Sequence, residues 1–327
     1  MRTVIPMPEK IISGNPLVTV ITVTYNSALY VRDAIESVLS QTYGNIEYII
    51  ADDHSTDSTW SIIQEYKDER IVAYRNESNL GEYANRNKAI QLASGKYLIF
   101  IDGDDFIYPH GIAHFTSQIE KFPQAAFAVQ KGYTSNVVYP VMLKSMDVLK
   151  NFYFGKFNML TSSFASNFFN TTMLKSAGGL SEKYITADEE IRLRLASQHP
   201  VLFVQGWVSW PRETPGQASS RIYDGSGFLE SVRITRSILE SGAVEDSLMQ
   251  REMINVMRRN AFYVVKRSLG SGKFQQARRV LKLSGFRMSE LIRSLRQKVS
   301  IIDPLSQYDP GNPLKTKWNE RIREKVL

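Results

Sequence analysis

The sequence predicts an α/β fold, a mixed sheet flanked by helices, with a helical extension on its C-terminal side. Three observations predict it. Short β-branched or apolar runs alternate with helical periodicity up to about residue 110, two of those runs end in paired acids, and from Phe228 onward the periodicity is helical.

Residues 17–24, rich in Val, Ile and Thr, read as a strand that the polar Tyr25-Asn26-Ser27 ends. Tyr30, Val31, Ala34, Ile35, Val38 and Leu39 then recur at helical spacing, opposite Arg32, Asp33 and Glu36. Residues 46–51 form a second strand running into Asp52-Asp53, which completes a βαβ unit with an expected right-handed crossover. A helix near 58–66, a strand at 71–74 and a helix at 82–92 follow, the last expected to end at Gly95. Residues 96–101 are a strand that delivers Asp102-Gly103-Asp104-Asp105 at its C-terminal end. Open α/β sheets bind ligands at the carboxyl ends of their strands, so both acidic clusters are expected to line one cleft.

Past Pro123 the spacing predicts strands near 126–130 and 136–143, and the Phe- and Asn-rich stretch 151–170 shows no readable period. Gly178-Gly179-Leu180, a helix near 188–196 and a strand across 201–210 come next. The C-terminal helices are expected to break at Gly270-Ser271-Gly272 and Gly285 and to stop at Asp303-Pro304. Residues 1–227 are thus expected to form the main domain and 228–327 a helical subdomain.

The chain has 327 residues, 43% of them hydrophobic, enough for one large core with an appendage. It has no cysteine, which excludes disulfides and thiolate-bound zinc. Of the four histidines only His110 and His114 lie near each other, so a metal has to rest on carboxylates, carbonyls or water. Apolar runs fall well short of the roughly 20 residues of a membrane span. The segment Met1 to Pro6 has no apolar signal core, so a cytoplasmic location is expected. The net charge of +7 is uneven: residues 228–327 hold 20 Lys and Arg against 10 Asp and Glu, and the rest of the chain 20 against 23. No nucleic-acid-binding motif accompanies this basic segment, and an anionic membrane surface suits it better.

The chemistry is expected in the acidic clusters. Asp102 and Asp104, one residue apart at a strand end, can both reach a divalent cation, Mn²⁺ or Mg²⁺, that in turn binds a diphosphate. Such a cation stabilises charge on a leaving group. In Asp52-Asp53-His54-Ser55-Thr56-Asp57-Ser58 the expected helix cap is Asp57 or Ser58, which leaves two adjacent carboxylates for another task, such as accepting a base N–H. Arg86 offers planar donors suited to phosphate, or an ion pair with Asp102 or Asp104.

Together, Thr22-Val23-Thr24-Tyr25-Asn26, the run Glu36 to Tyr43, Asp52 to Asp57, Asn79-Leu80-Gly81 with Asn85-Arg86-Asn87, and Asp102 to Asp105 resemble the family 2 glycosyltransferases of GT-A fold. The resemblance covers about residues 17–110 and, more loosely, 178–222. It implies a Rossmann-like donor half at about 17–110 and an acceptor half at about 126–227. By the same resemblance Thr24, Tyr25, Asp52 and Asp53 hold the nucleobase of a nucleotide diphosphate sugar, UDP by frequency in the family. Arg86 approaches the diphosphate, Asp102 the ribose, and Asp104 the metal. Aligning on Leu193-Arg194-Leu195 makes Asp188 the catalytic base, although Ala187 replaces the Glu that usually precedes it and Val23 stands where the family has Pro.

These residues imply an inverting transfer to a hydroxyl on a saccharide or lipid-linked acceptor, as in cell-surface polysaccharide, lipopolysaccharide or glycoconjugate synthesis. Trp210 and Arg212 are expected on the acceptor side, with the loop 214–221, and Trp207 in the core. Gln217 is off register for the processive synthases' motif, so a single addition is expected. A sugar nucleotidyltransferase needs a glycine-rich phosphate loop after the first strand, and Thr24-Tyr25-Asn26-Ser27 is not one. A catalytically inactive nucleotide-sugar-binding module is the other alternative, and the intact Asp102, Asp104 and Asp188 argue against it.

Overall fold

Val18–Thr24 (β1) is β-branched almost throughout and buried on both faces, as expected of a central parallel strand covered by helices on each side. The computed structural model describes residues 15–132, 137–155, 158–212, 214, 226–297 and 301. β1 pairs in parallel with Ile46–Asp52 (β2) on one side and Tyr97–Phe100 (β4) on the other, and β2 pairs in parallel with Ile71–Arg75 (β3). Helices Val31–Leu39 (α1), Thr59–Glu65 (α2) and Glu82–Leu92 (α3) make the crossovers. The chain therefore winds outward from β1 to β3 and returns to β4 across β1, which creates a topological switch point where β1 and β4 end.

The rest of the sheet is mixed. Asn167–Asn170 (β8) runs antiparallel between β4 and Phe127–Lys131 (β6), Val201–Gln205 (β9) is parallel to β6, and Val141–Leu143 (β7) closes the far edge antiparallel to β9. The order is β3-β2-β1-β4-β8-β6-β9-β7. Because side chains alternate across a strand, neighbours divide between two cores: Ile50, Ile99 and Phe168 face α1 and Gly111–Ile119 (α4), while Ile49, Phe100 and Phe169 face α3. On the α3 side, Ser145–Phe154 (α5), Thr171–Ser176 (α6) and Ala187–Gln198 (α7) join the core. So do Ser226–Glu240 (α8) and Ser247–Gly270 (α9), through Val232, Ile238, Met249, Met253 and Met257. Phe274–Ser284 (α10) and Met288–Ser294 (α11) pack on α9.

Three local readings need correction. The strand expected across 201–210 breaks at Gly206, whose φ of 144° turns the chain; Ser209–Trp210 (β10) leaves the main sheet and pairs antiparallel with Phe106–Ile107 (β5). Trp207 is 66% exposed instead of buried, with its ring alongside Gly132. Gly95 does not cap α3, which ends at Leu92. It lets β1 approach instead, since a Cβ there would sit 2.5 Å from the Thr19 backbone N. The unreadable stretch contains the end of α5, a short 3-10 turn Phe164–Ser166, and β8. The expected stop at Asp303-Pro304 and most of the loop 214–221 lie outside the described residues.

Gly95→Ala is expected to destabilise the fold by about 1–3 kcal/mol, the usual cost of overpacking. Urea denaturation measures it, and an unchanged midpoint would contradict this close approach.

Candidate active site

At the switch point the loops after β1 and β2 are joined by side-chain hydrogen bonds. Asn26 N donates to Ser55 Oγ (3.0 Å), Ser27 N to Thr59 Oγ1 (2.8 Å), and Ala28 N to Asp57 Oδ2 (3.1 Å), while Asn26 Oδ1 accepts from Thr56 N (2.8 Å). Asp57 also caps the start of α2 by accepting from Thr59 N. Asn26 and His54 adopt φ of 53° and 65°, a region that Asn and His tolerate better than most side chains.

This network divides the labour of the first acidic pair. Asp52, fully buried, accepts from Thr24 Oγ1 (3.0 Å) and Ser55 Oγ (2.5 Å) at Oδ1 and from Ser55 N (3.1 Å) at Oδ2, which also forms an ion pair with Arg75 Nε (3.3 Å). With three hydrogen bonds and an ion pair, Asp52 clasps the two loops. Asp53 accepts from Asn76 Nδ2 and Leu80 N at Oδ1 and from Gly81 N at Oδ2, each at 2.9 Å. That leaves a position on Oδ2 and ties β2 to the start of α3. Tyr25 is half exposed beside them.

Arg86, on α3, forms the main ion pair. Its two terminal nitrogens meet the two oxygens of Asp102 at 2.6 and 2.9 Å, one also reaches Glu82 (3.1 Å), and its guanidinium lies over the rings of Phe100 and Phe164 at 5.5 and 5.3 Å. Burial opposes the charge, but Asp102 and then Glu82 outweigh it, and Arg86 holds its proton more tightly than usual. The ion pair anticipated for Arg86 is therefore made, with Asp102.

Past Asp102 the chain turns through Gly103, where a Cβ would lie 2.9 Å from Thr24 Cγ2. Asp104 accepts from Thr214 Oγ1 (2.8 Å), and Asp105 accepts from Arg212 N (3.1 Å). Burial first, then the negative charge of Asp102 and Asp104, raises the pKa of Asp105 well above the usual carboxylate range. Clustered carboxylates with this much mutual repulsion fit an oxygen-seeking divalent cation. Among the described residues no three acids or histidines form a group that could hold a metal ion by itself. Arg86 engages both Asp102 oxygens, and Thr214 one oxygen of Asp104. Trp210 is 56% exposed on β10, paired with Phe106 beside this turn; Arg212 bonds Asp33 (2.9 Å) and lies over the Tyr30 ring.

The same helix α3 meets the acceptor half. Tyr83 Oη donates to Ile185 O (2.6 Å) and receives Ala187 N–H (3.3 Å), at the start of α7. Burial, then the charges of Glu82 and Asp188, raises its pKa. Asn87 exchanges two hydrogen bonds of 2.8 Å with the backbone of Leu180, against Gly179 at φ 71°. Asp188 stands in the first turn of α7, a third exposed, with Oδ2 held by Arg192 at 3.0 Å. Arg192 also donates to Leu160 O and Ser162 O, while Lys131 donates to Met159 O and Thr161 O, so two cations hold four successive carbonyls beside Asp188.

Asp53, Asp102 and Asp188 therefore surround the first half of α3. Tyr83, Arg192, Asn76 and Lys131 were missed as site-building residues. Tyr83, Arg86 and Asn87, at i, i+3 and i+4, share one helix face, a pattern present in the sequence.

Residues 19–176 match the family model described as glycosyl transferase family 2, and the chain carries a family 2 glycosyltransferase domain. It is 47% identical over 90 residues to the Escherichia coli UDP-Glc:alpha-D-GlcNAc-diphosphoundecaprenol beta-1,3-glucosyltransferase WfaP, a match that covers 28% of this chain and 36% of that protein. The chain spans about a third of the length of the first curated relatives it matches. It resembles S. aureus TarS 1-349 in complex with UDP (TM-score 0.61, 16% identity, covering 86% of this chain and 81% of that one). It also resembles the mannosyltransferase PcManGT from Pyrobaculum calidifontis in complex with GDP-Man and Mn²⁺ (TM-score 0.56, 14% identity, covering 90% and 88%). The fold is GT-A.

Arg86→Ala is expected to cost about 3 kcal/mol, the lower end for a broken buried ion pair because Asp102 keeps some exposure. Arg86→Lys, without the planar fork, is expected to fall in between. An alanine variant with wild-type denaturation behaviour would show that the pair does not hold β4 to α3.

Proposed function

We propose that the protein is an inverting glycosyltransferase that moves a hexosyl or N-acetylhexosaminyl group from a nucleotide diphosphate sugar to a hydroxyl acceptor in polysaccharide or glycoconjugate synthesis. The observation that carries this reading is the convergence of Asp53, Asp102 and Asp188 on α3. Thr24 and Tyr25 flank the base, Asp53 Oδ2 accepts its N–H, and Asp102, oriented by Arg86, faces the ribose. Asp104 is the chain's ligand for Mn²⁺ or Mg²⁺, with Asp102 next to it. A bound cation supplies charge stabilisation to the departing diphosphate. The complexes of TarS with UDP and PcManGT with GDP-Man and Mn²⁺ support a donor of this class.

Asp188 takes the acceptor proton. Arg192 fixes Oδ2, so Oδ1 is left to receive the proton as the hydroxyl oxygen bonds to the anomeric carbon and the bond to the diphosphate breaks on the opposite face. Trp210 and Arg212 line the acceptor side. WfaP, named for its action on a diphosphoundecaprenol-linked sugar, supports a lipid-linked acceptor. With it go a cytoplasmic location and membrane contact through the basic helices of 228–327, a subdomain appended to the catalytic domain 1–227. Among the described residues no helix is long and apolar enough to cross a membrane.

A panel of nucleotide sugars with Mn²⁺ is expected to raise the melting temperature for one donor, since a ligand bound only by the native state stabilises it by mass action. Asp188→Asn is expected to lower transfer about 10²–10⁴-fold, the usual contribution of a general base, while keeping that donor-induced shift. Loss of both the shift and transfer would remove Asp188 from the base role.

A further inference from the structure

Between Glu252 and Glu290 the chain has no acidic residue and nine Lys or Arg. Seven of the nine are exposed. The helical period explains where they point. On α10, Ala277, Val280 and Ser284 are buried, which turns Phe274, Arg278 and Lys282 outward at i, i+4 and i+8. On α9, Ala261, Val265 and Ser268 are buried, which leaves Lys266 and Arg267 outside.

The turn between the two helices combines charge with apolar surface. Gly270, Ser271, Gly272 and Lys273 are all exposed. Leu269 is 44% exposed before the turn and Phe274 67% after it, with Lys266, Arg267, Lys273 and Arg278 within four residues of one or the other. The backbone of the turn is internally bonded: Ser271 N donates to Arg267 O (3.1 Å), Gly272 N to Leu269 O (3.1 Å), and Lys273 N to Ser268 O (2.8 Å). Gly272, at φ 70°, allows so tight a return. A turn whose amides are already paired enters a headgroup layer at little cost in lost hydrogen bonds to water. Basic side chains around apolar ones are what an anionic bilayer surface attracts, the charges towards phosphate and the apolar groups into the interface.

We infer that the α9–α10 turn is the point at which the chain meets an anionic lipid surface, with Leu269 and Phe274 in the interfacial layer and the neighbouring cations on headgroup phosphates. This deepens the proposed reading of a membrane-linked acceptor and rests on it for its purpose, but the surface chemistry is tested without any transfer reaction.

The test is flotation of the full chain with vesicles of phosphatidylglycerol and phosphatidylcholine, against vesicles of phosphatidylcholine alone. Binding is expected only to the anionic vesicles, with release at high salt. Two double variants, Leu269→Ser with Phe274→Ser and Lys273→Glu with Arg278→Glu, are each expected to weaken it at least about tenfold. Their melting temperatures and donor-induced shifts are expected to equal those of the wild type, so that a loss reports this surface and not the fold or the donor site. The inference is overturned if the wild type ignores anionic vesicles, binds neutral ones equally, or keeps its affinity in both variants. It is also overturned if the apolar variant abolishes self-association, or if the turn binds nucleic acid in place of lipid.

Discussion

The buried pairing of Arg86 with Asp102 is the constraint on which the site depends, because it joins the end of β4 to a helix that also faces the other half of the protein. Opposite charges held by two short hydrogen bonds, with the buried guanidinium against the stacked rings of Phe100 and Phe164, have essentially one geometry. That geometry fixes α3 in rotation as well as position. Tyr83, one turn earlier, then has to meet the start of α7, and Asn87 the turn at Gly179–Leu180. A single helix face thus sets where Asp188 stands relative to Asp102.

The first acidic cluster shows how one motif divides into structure and function. Asp52, wholly buried, holds the clasp between two loops, while Asp53 fastens the start of α3 and keeps one position for a ligand. Spacing alone does not separate the two residues, since both follow the same apolar strand. Burial and donor geometry do.

The parallel half of the sheet was legible because each strand there is a β-branched or apolar run and each crossover helix keeps a clean period. The second half was not. There the chain reverses direction repeatedly, the strands are short, and Gly206 diverts β10 into a separate ribbon that pairs Trp210 with Phe106. Tryptophan at 207 and 210 has the same composition signature whether buried or exposed, so its environment had to come from the fold. Lys131 was hidden for another reason: its partners are the backbone carbonyls of Met159 and Thr161, and carbonyl acceptors leave no trace in a sequence. The C-terminal helices were legible as helices, but their apolar side chains enter the same core as the sheet, and Glu230 on α8 accepts from Ile185 N just before α7.

A crystal structure of the chain with Mn²⁺ and a nucleoside diphosphate tests the central claim most directly. Anomalous manganese density is expected at coordination distance from Asp104, with the diphosphate beside Arg86 and Asp102 and its open end towards Asp188. Nucleotide or metal bound elsewhere, with Asp104 and Asp188 facing separate cavities, would contradict it.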